Sequence, residues 1–191
     1  MIRSGPPSRR PVLLESAEVP GKITRPVLLP VLGLTLGLLV HPARADFNDG
    51  VAAMVAGDYA KALESFVPLA ETADHAYAQY FLGRMYADGR GVERSPEEAV
   101  RWFREAAEKG VQEAQFRLAG LYERGEGVPR DLEYAYAWYS VAAQLGSAKA
   151  GTARDGAAGQ LAPAALKEAQ GLADDLTAKY GKVPRATSVS Q

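Results

Sequence analysis

Few side chains in this sequence could do chemistry, and none falls into a spacing that chemistry needs. The 191 residues contain no cysteine, which removes thiolate metal ligands, cysteine nucleophiles and disulfides together. His75, beside Asp74, stands alone and reads as a solvated helix-start residue, because zinc takes three or four converging ligands and no HExxH spacing occurs. Gly89-Arg90-Gly91 and Gly125-Glu126-Gly127 do not continue into the Gly-Lys-Ser/Thr that would cradle phosphate, so they read as helix terminators. Neighbouring carboxylates in Glu97-Glu98 and Asp174-Asp175 point about 100° apart on a helix and cannot flank one bond. No G-x-S-x-G elbow is present. These patterns predict no catalytic residue, no cofactor and no metal, and hence a protein that is not an enzyme.

Charge gives a similar answer for polyanions. The formal net charge is −1, and no run of lysine and arginine with interleaved aromatics occurs, so nucleic acid is not an expected partner. An apolar content of 47% against 24% charged residues is that of a globular chain able to bury a core.

The elements that position these residues come from an internal repeat. Residues 78–110 align with 114–146 without a gap at an offset of 36, with identities that include Ala78/Ala114, Leu82/Leu118, Tyr86/Tyr122 and Trp102/Trp138. In each unit the apolar residues fall at helical spacing. Ala78, Leu82, Met85 and Tyr86 stripe a first helix, and Ala99, Trp102, Phe103, Ala106 and Ala107 stripe a second. Gly89 and Gly91 suit the left-handed backbone that ends the first helix. Ser95-Pro96-Glu97-Glu98 opens the second with a reciprocal capping box, and Asp131 caps the next unit. One such hairpin cannot cover its own stripes, so stacking is required.

Upstream, Gly57-Asp58-Tyr59 with Ala62, Phe66, Leu69 and Ala70 predicts a divergent hairpin over 46–75, whose first helix, about Phe47 to Ala56, is poor in large apolar residues and caps the array. Downstream, Ser147 caps a short helix to about Gly159. Pro163 opens a last helix striped by Leu166, Ala169, Ala173, Leu176 and Tyr180 and stopped by Gly181. These closing helices, 148–181, are expected to cover the last exposed repeat face, and 182–191 is expected to be a disordered tail.

The N-terminus reads as an address. An uncharged apolar stretch, Pro26 to Val40, follows Lys22 and Arg25 and precedes Ala43-Arg44-Ala45, the three parts of a signal peptide over 1–45 cleaved after Ala45. The competing reading, a membrane anchor, has about fifteen apolar residues spanning roughly 22 Å, short of the ~30 Å hydrocarbon core. Cleavage removes six basic and two acidic residues and takes the charge from −1 to −5.

AQYFLGRMYADGRGV with AVRWFREAAEKG, and AQFRLAGLYERGEGV with AYAWYSVAAQLG, resemble the Sel-one-like repeat (SLR) family, relatives of the tetratricopeptide repeat with a longer unit. The second unit carries Ala119 where glycine is usual, and 46–75 is similar to the shorter tetratricopeptide unit. The resemblance implies an all-α fold: a right-handed α-solenoid of helix-turn-helix repeats, with repeats at 76–111 and 112–147 and a C-terminal capping helix pair. It also implies an exported bacterial adaptor, periplasmic or secreted, with no stable membrane insertion after signal cleavage and no catalysis, binding a protein or peptide partner as a monomer. A dedicated inhibitor or regulator of a cell-envelope enzyme is the alternative, and an enzyme in its own right the third reading.

In arrays of this kind the first helices line the inner curve. The inner-facing candidates, lying off the core stripe, are Tyr77, Tyr80, Arg84, Asp88, Phe116 and Glu123. Tyr80 and Phe116 are equivalent positions and carry a second reading, that they pack between hairpins.

Overall fold

The computed structural model describes residues 46–182. The expected signal peptide and nearly all of the expected disordered tail therefore lie outside the described residues. Within them the chain forms eight helices and no strand: α1 Phe47–Ala56, α2 Tyr59–Glu71, α3 Ala76–Asp88, α4 Pro96–Glu108, α5 Gln112–Arg124, α6 Leu132–Gln144, α7 Ala148–Ala158 and α8 Pro163–Tyr180. None of the described helices is long and apolar enough to cross a membrane.

Helix starts follow from side chains that take up orphaned amides. Asp58 accepts from the Lys61 amide (3.1 Å), Ser95 from Glu98 (3.2 Å), and Asp131 from Tyr134 (2.9 Å). The reciprocal half of the capping box expected at Ser95 is not made. The Ser95 amide donates to the Tyr86 carbonyl (3.0 Å), as the Asp131 amide does to Tyr122 (2.9 Å), and Glu98 turns to Arg101 (2.7 Å). The returning loop thus satisfies the amide that a glutamate would otherwise cap.

Glycine matters most in the loops between α5 and α6 and between α3 and α4. Gly127 has φ +72°, and a Cβ there would lie 2.4 Å from the Pro96 carbonyl; at Gly91, φ +73°, it would lie 2.7 Å from Tyr59 Cβ. Each Gly-x-Gly loop therefore sits directly on the start of the preceding hairpin's second helix, an approach that only glycine permits.

The hairpins α1–α2, α3–α4 and α5–α6 pack in order. Phe66, Leu82, Met85 and Trp102 form the core of the first part, and Phe103, Leu118, Leu121, Trp138 and Tyr139 that of the second. The result is an all-α helical-repeat solenoid.

Both closing helices pack on α6 but hardly touch one another. Carrying the repeat offset forward explains why. Where the second unit has Leu118, Leu121 and Tyr122, α7 has Arg154, Ala157 and Ala158; where it has Trp138-Tyr139, α8 has Asp174-Asp175. Neither helix holds the side chains that lock a repeat hairpin, so each docks on α6 separately. The buried residues of α8 are Ala169 and Ala173, and Tyr180 at its end stacks on Trp138 with ring centroids 5.7 Å apart.

Candidate partner-binding face

On α3, Leu82 and Met85 point into the core, which turns Tyr77, Arg84 and Asp88 away from it and leaves Tyr80 at its edge, packed against it. Tyr77 is 41% exposed. Tyr80 is half-buried, edge-on to Phe81 (5.4 Å) and 6.0 Å from Phe103. The Arg84 guanidinium lies 5.9 Å from the Tyr80 ring and 5.7 Å from Phe81, within reach of both π-faces. Arg84 Nε is buried and has no hydrogen-bond partner among the described residues. Asp88 does not join the cluster, since its carboxylate pairs with Arg90 (3.3 Å).

On α5, Phe116 takes the place of Tyr80 and packs on Tyr139 (5.4 Å), which takes the place of Phe103. Lys149 of α7 places its Nζ 4.6 Å from the Phe116 ring. Glu123 is not free: its carboxylate accepts the Tyr139 hydroxyl (2.8 Å) and its backbone carbonyl accepts Arg130 Nε (2.9 Å). Burial, and then the Glu123 carboxylate, push the Tyr139 phenol well above its ordinary range. Tyr80 and Phe116 thus pack on the second-helix ring of their own unit, whereas Tyr77 faces the preceding hairpin. Tyr80 and Arg84 meet directly, Phe116 and Glu123 meet through Tyr139, and Tyr77 lies 6.4 Å from the Phe47 ring.

The model of the Sel1 repeat matches residues 76–111 and 112–147. Residues 76–147 are two Sel1 repeats. Among solved structures, the chain is similar to c5321, a protective antigen present in uropathogenic Escherichia coli strains and displaying an SLR fold. The two are 27% identical with a TM-score of 0.64, over 75% of this chain and 34% of that one. It is also similar to a Sel1 repeat protein from Oxalobacter formigenes, at 28% identity and a TM-score of 0.54, over 69% of this chain and 56% of the other. The chain thus spans about a third of the first relative and just over half of the second. A comparison with curated proteins finds no match. Sel1-repeat proteins generally mediate protein–protein interactions and are typically non-catalytic scaffolds.

Three features of the Sel1 face and its flanks escape sequence reasoning. His75 is half-buried rather than solvated. Its Nδ1 caps α3 by accepting the Ala78 amide (3.2 Å), its ring lies 4.7 Å from Phe47, and burial lowers its pKa. That contact joins positions 28 residues apart, beyond any local pattern. Lys149 comes from outside the repeats altogether. The third feature is a groove of about 400 Å³ beyond the second Sel1 repeat, where α7 and α8 stand apart over α6, lined among others by Tyr136, Ser140, Gln144, Arg154, Asp174 and Thr177. Its signal was present in the sequence: Leu118 and Tyr122 of the repeat become Arg154 and Ala158, leaving core volume unfilled and polar. Among the described residues no cluster of three or more histidine and acidic side chains could hold a metal ion.

Proposed function

We propose that the protein is an exported, non-catalytic adaptor that captures a protein or peptide partner on the face formed by α3 and α5. The observation that carries this reading is the side of α3 turned from the core, where Tyr77 is 41% exposed next to Tyr80 and Arg84. Aromatic and arginine side chains grouped at solvent are favoured interface anchors, because they bury large area and keep a polar or planar handle. Export is supported by the basic, apolar and small-residue segments that end at Ala45. The periplasm or the cell exterior is then the place of action.

The test is capture of partners from an envelope extract. Tyr77→Ala with Tyr80→Ala should weaken capture more than about tenfold, about 1.4 kcal/mol, with helical content kept and melting lowered only as far as the lost packing of Tyr80 on Phe103 requires. Wild-type capture by a folded double variant contradicts the reading. Several captured partners mark a scaffold, and one enzyme whose activity changes marks a regulator. Mass spectrometry of the expressed protein should find it outside the cytoplasm beginning at Asp46; intact Met1–Gln191 in the inner membrane contradicts export.

A further inference from the structure

The two Sel1 repeats treat the same spot on the inner face in opposite ways. In the second, position 120 is glycine, and the space beside it is taken by the Arg124 guanidinium, with Nη1 3.0 Å from where a Cβ would stand. That guanidinium is neutralised within the repeat, because Glu126 accepts from Arg124 Nε (2.9 Å). In the first repeat the equivalent position is Arg84, which brings its own guanidinium to the spot. The counterpart of Glu126 is Arg90, a cation where the second repeat has an anion. Asp88, one turn after Arg84, is held by Arg90. No carboxylate lies within 4 Å of Arg84 among the described residues, while its Nε is buried without a partner.

Arg84 Nε is one of several buried polar atoms without a partner, Trp102 Nε1 among them, so it is the missing counter-ion rather than the lone donor that opens the spot to an anion. A second cation is left open over the next repeat. Lys149 stands over Phe116, the equivalent of Tyr80, and it too has no carboxylate within 4 Å among the described residues. Of the acids on α5 and the loop after it, Glu123 is committed to Tyr139 and Glu126 to Arg124. Glu113 remains free, at the start of α5 where the helix dipole favours it.

We infer that the inner face recognises an acidic segment of a partner protein, with Arg84 receiving a glutamate or aspartate carboxylate over the Tyr80–Phe81 rings and Lys149 receiving a second over Phe116. This assignment rests on the inner-face reading above and names the chemistry of its partner. Arg84 suits the role because its planar fork binds a carboxylate through two parallel N–H donors, and the aromatic platform fixes that fork before the ligand arrives.

The probe is a dye-labelled peptide with a run of glutamates, compared with its glutamine counterpart and titrated against the protein by fluorescence anisotropy. The glutamate peptide should bind saturably, at least about tenfold tighter than the glutamine peptide, and more weakly as salt rises. Arg84→Gln should lose about tenfold with melting unchanged, Arg84→Lys should recover part of the loss, and Lys149→Gln should lose less. Equal binding of the two peptides, or wild-type affinity in a folded Arg84→Gln protein, overturns the acidic-partner assignment. Partner capture that still depends on Tyr77 and Tyr80 would in that case leave the inner-face reading standing, whereas loss of that dependence would remove both.

Discussion

Helices α4 and α6 occupy the same place in successive Sel1 repeats and bury the same tryptophan, yet they cover it differently. Over Trp102, Arg101 lies 3.9 Å from the ring centre and is held by Glu98 (2.7 Å) and Glu105 (3.3 Å). Glu105 also accepts Gln79 Nε2 (3.1 Å), which ties α4 to the start of α3. In α6 the three charged positions have become Tyr134, Ala137 and Val141, and the last two are fully buried. There the end of α8 takes over: Tyr180 stacks on Trp138, and its carbonyl accepts Gln115 Nε2 (3.2 Å). One repeat keeps a solvated ion network, and the next exchanges it for a helical cover. The lesson is that a repeat motif sets which residue is buried, while the residues around it decide what buries it. Exposed ion pairs such as those of Arg101 contribute little, so the two covers should differ in strength.

The largest effect expected from this difference is at the tryptophans. Trp102→Ala and Trp138→Ala should each cost about 3–5 kcal/mol, as truncation of buried large aromatics does. Trp138→Ala should lie at the upper end, because α8 loses its stacking partner with it. Urea unfolding followed by circular dichroism measures both. A Trp138→Ala midpoint no lower than that of Trp102→Ala would mean that α8 holds to α6 without the Trp138–Tyr180 stack.

How much of this comparison was legible in the sequence follows from the distance over which each contact acts. The six helices of the hairpins and their Asp and Ser caps are set by residues within one turn, so apolar period and cap chemistry locate them. The docking of α8 joins Tyr180 to Gln115, 65 residues apart, and no local pattern reports it. Yet α6 carried a signal. Ala137 and Val141 add apolar residues outside its stripe, and a helix apolar on more than one side is buried on more than one side. The candidates on α3 and α5 were placeable off the core stripe because they fall between core positions of a known period. Their mutual contacts were not, since Glu123 meets Tyr139 only through the hydroxyl that Phe103 lacks.

The same pair of rings gives a sharper comparison of intermediate size. A Cβ at Gly83 would stand 2.6 Å from Phe103 Cδ1, whereas the second repeat already has Ala119 there beside Tyr139, whose hydroxyl reaches Glu123. Gly83→Ala should therefore destabilise by about 1–3 kcal/mol through overpacking. Ala119→Gly should cost only about 1 kcal/mol, mainly in helix propensity. A neutral Gly83→Ala would mean that Phe103 can make room for a methyl group, and that the glycine is not needed for packing.

The smallest effect separates the start of α3 from that of α5. His75 caps α3 through an unprotonated Nδ1, whereas Val111, its equivalent, offers α5 no side-chain cap. Burial holds the pKa of His75 below the ordinary 6.5, so the unfolded chain takes up the proton first. The contribution is complete above about pH 6.5 and is lost as pH falls through that value toward the folded-state pKa. Solvent reaches the ring, which keeps the effect under about 1 kcal/mol. Melting temperature between pH 7 and pH 5.5 should fall more steeply for the wild type than for His75→Asn, which keeps a cap and does not titrate. Parallel slopes would mean that the ring is not desolvated against Phe47.

The central claim is that partners are held by the first helices rather than by the outer ones, and side-chain footprinting of the captured complex tests it most directly. Tyr77 on α3 and Tyr134 on α6 are almost equally open in the free protein, at 41% and 38%, so each serves as the control for the other. Hydroxyl-radical labelling should show Tyr77 and Tyr80 protected by the partner while Tyr134 keeps its free reactivity. Protection of Tyr134 with unchanged labelling of Tyr77 and Tyr80 would contradict the account and move the binding surface to the outer helices.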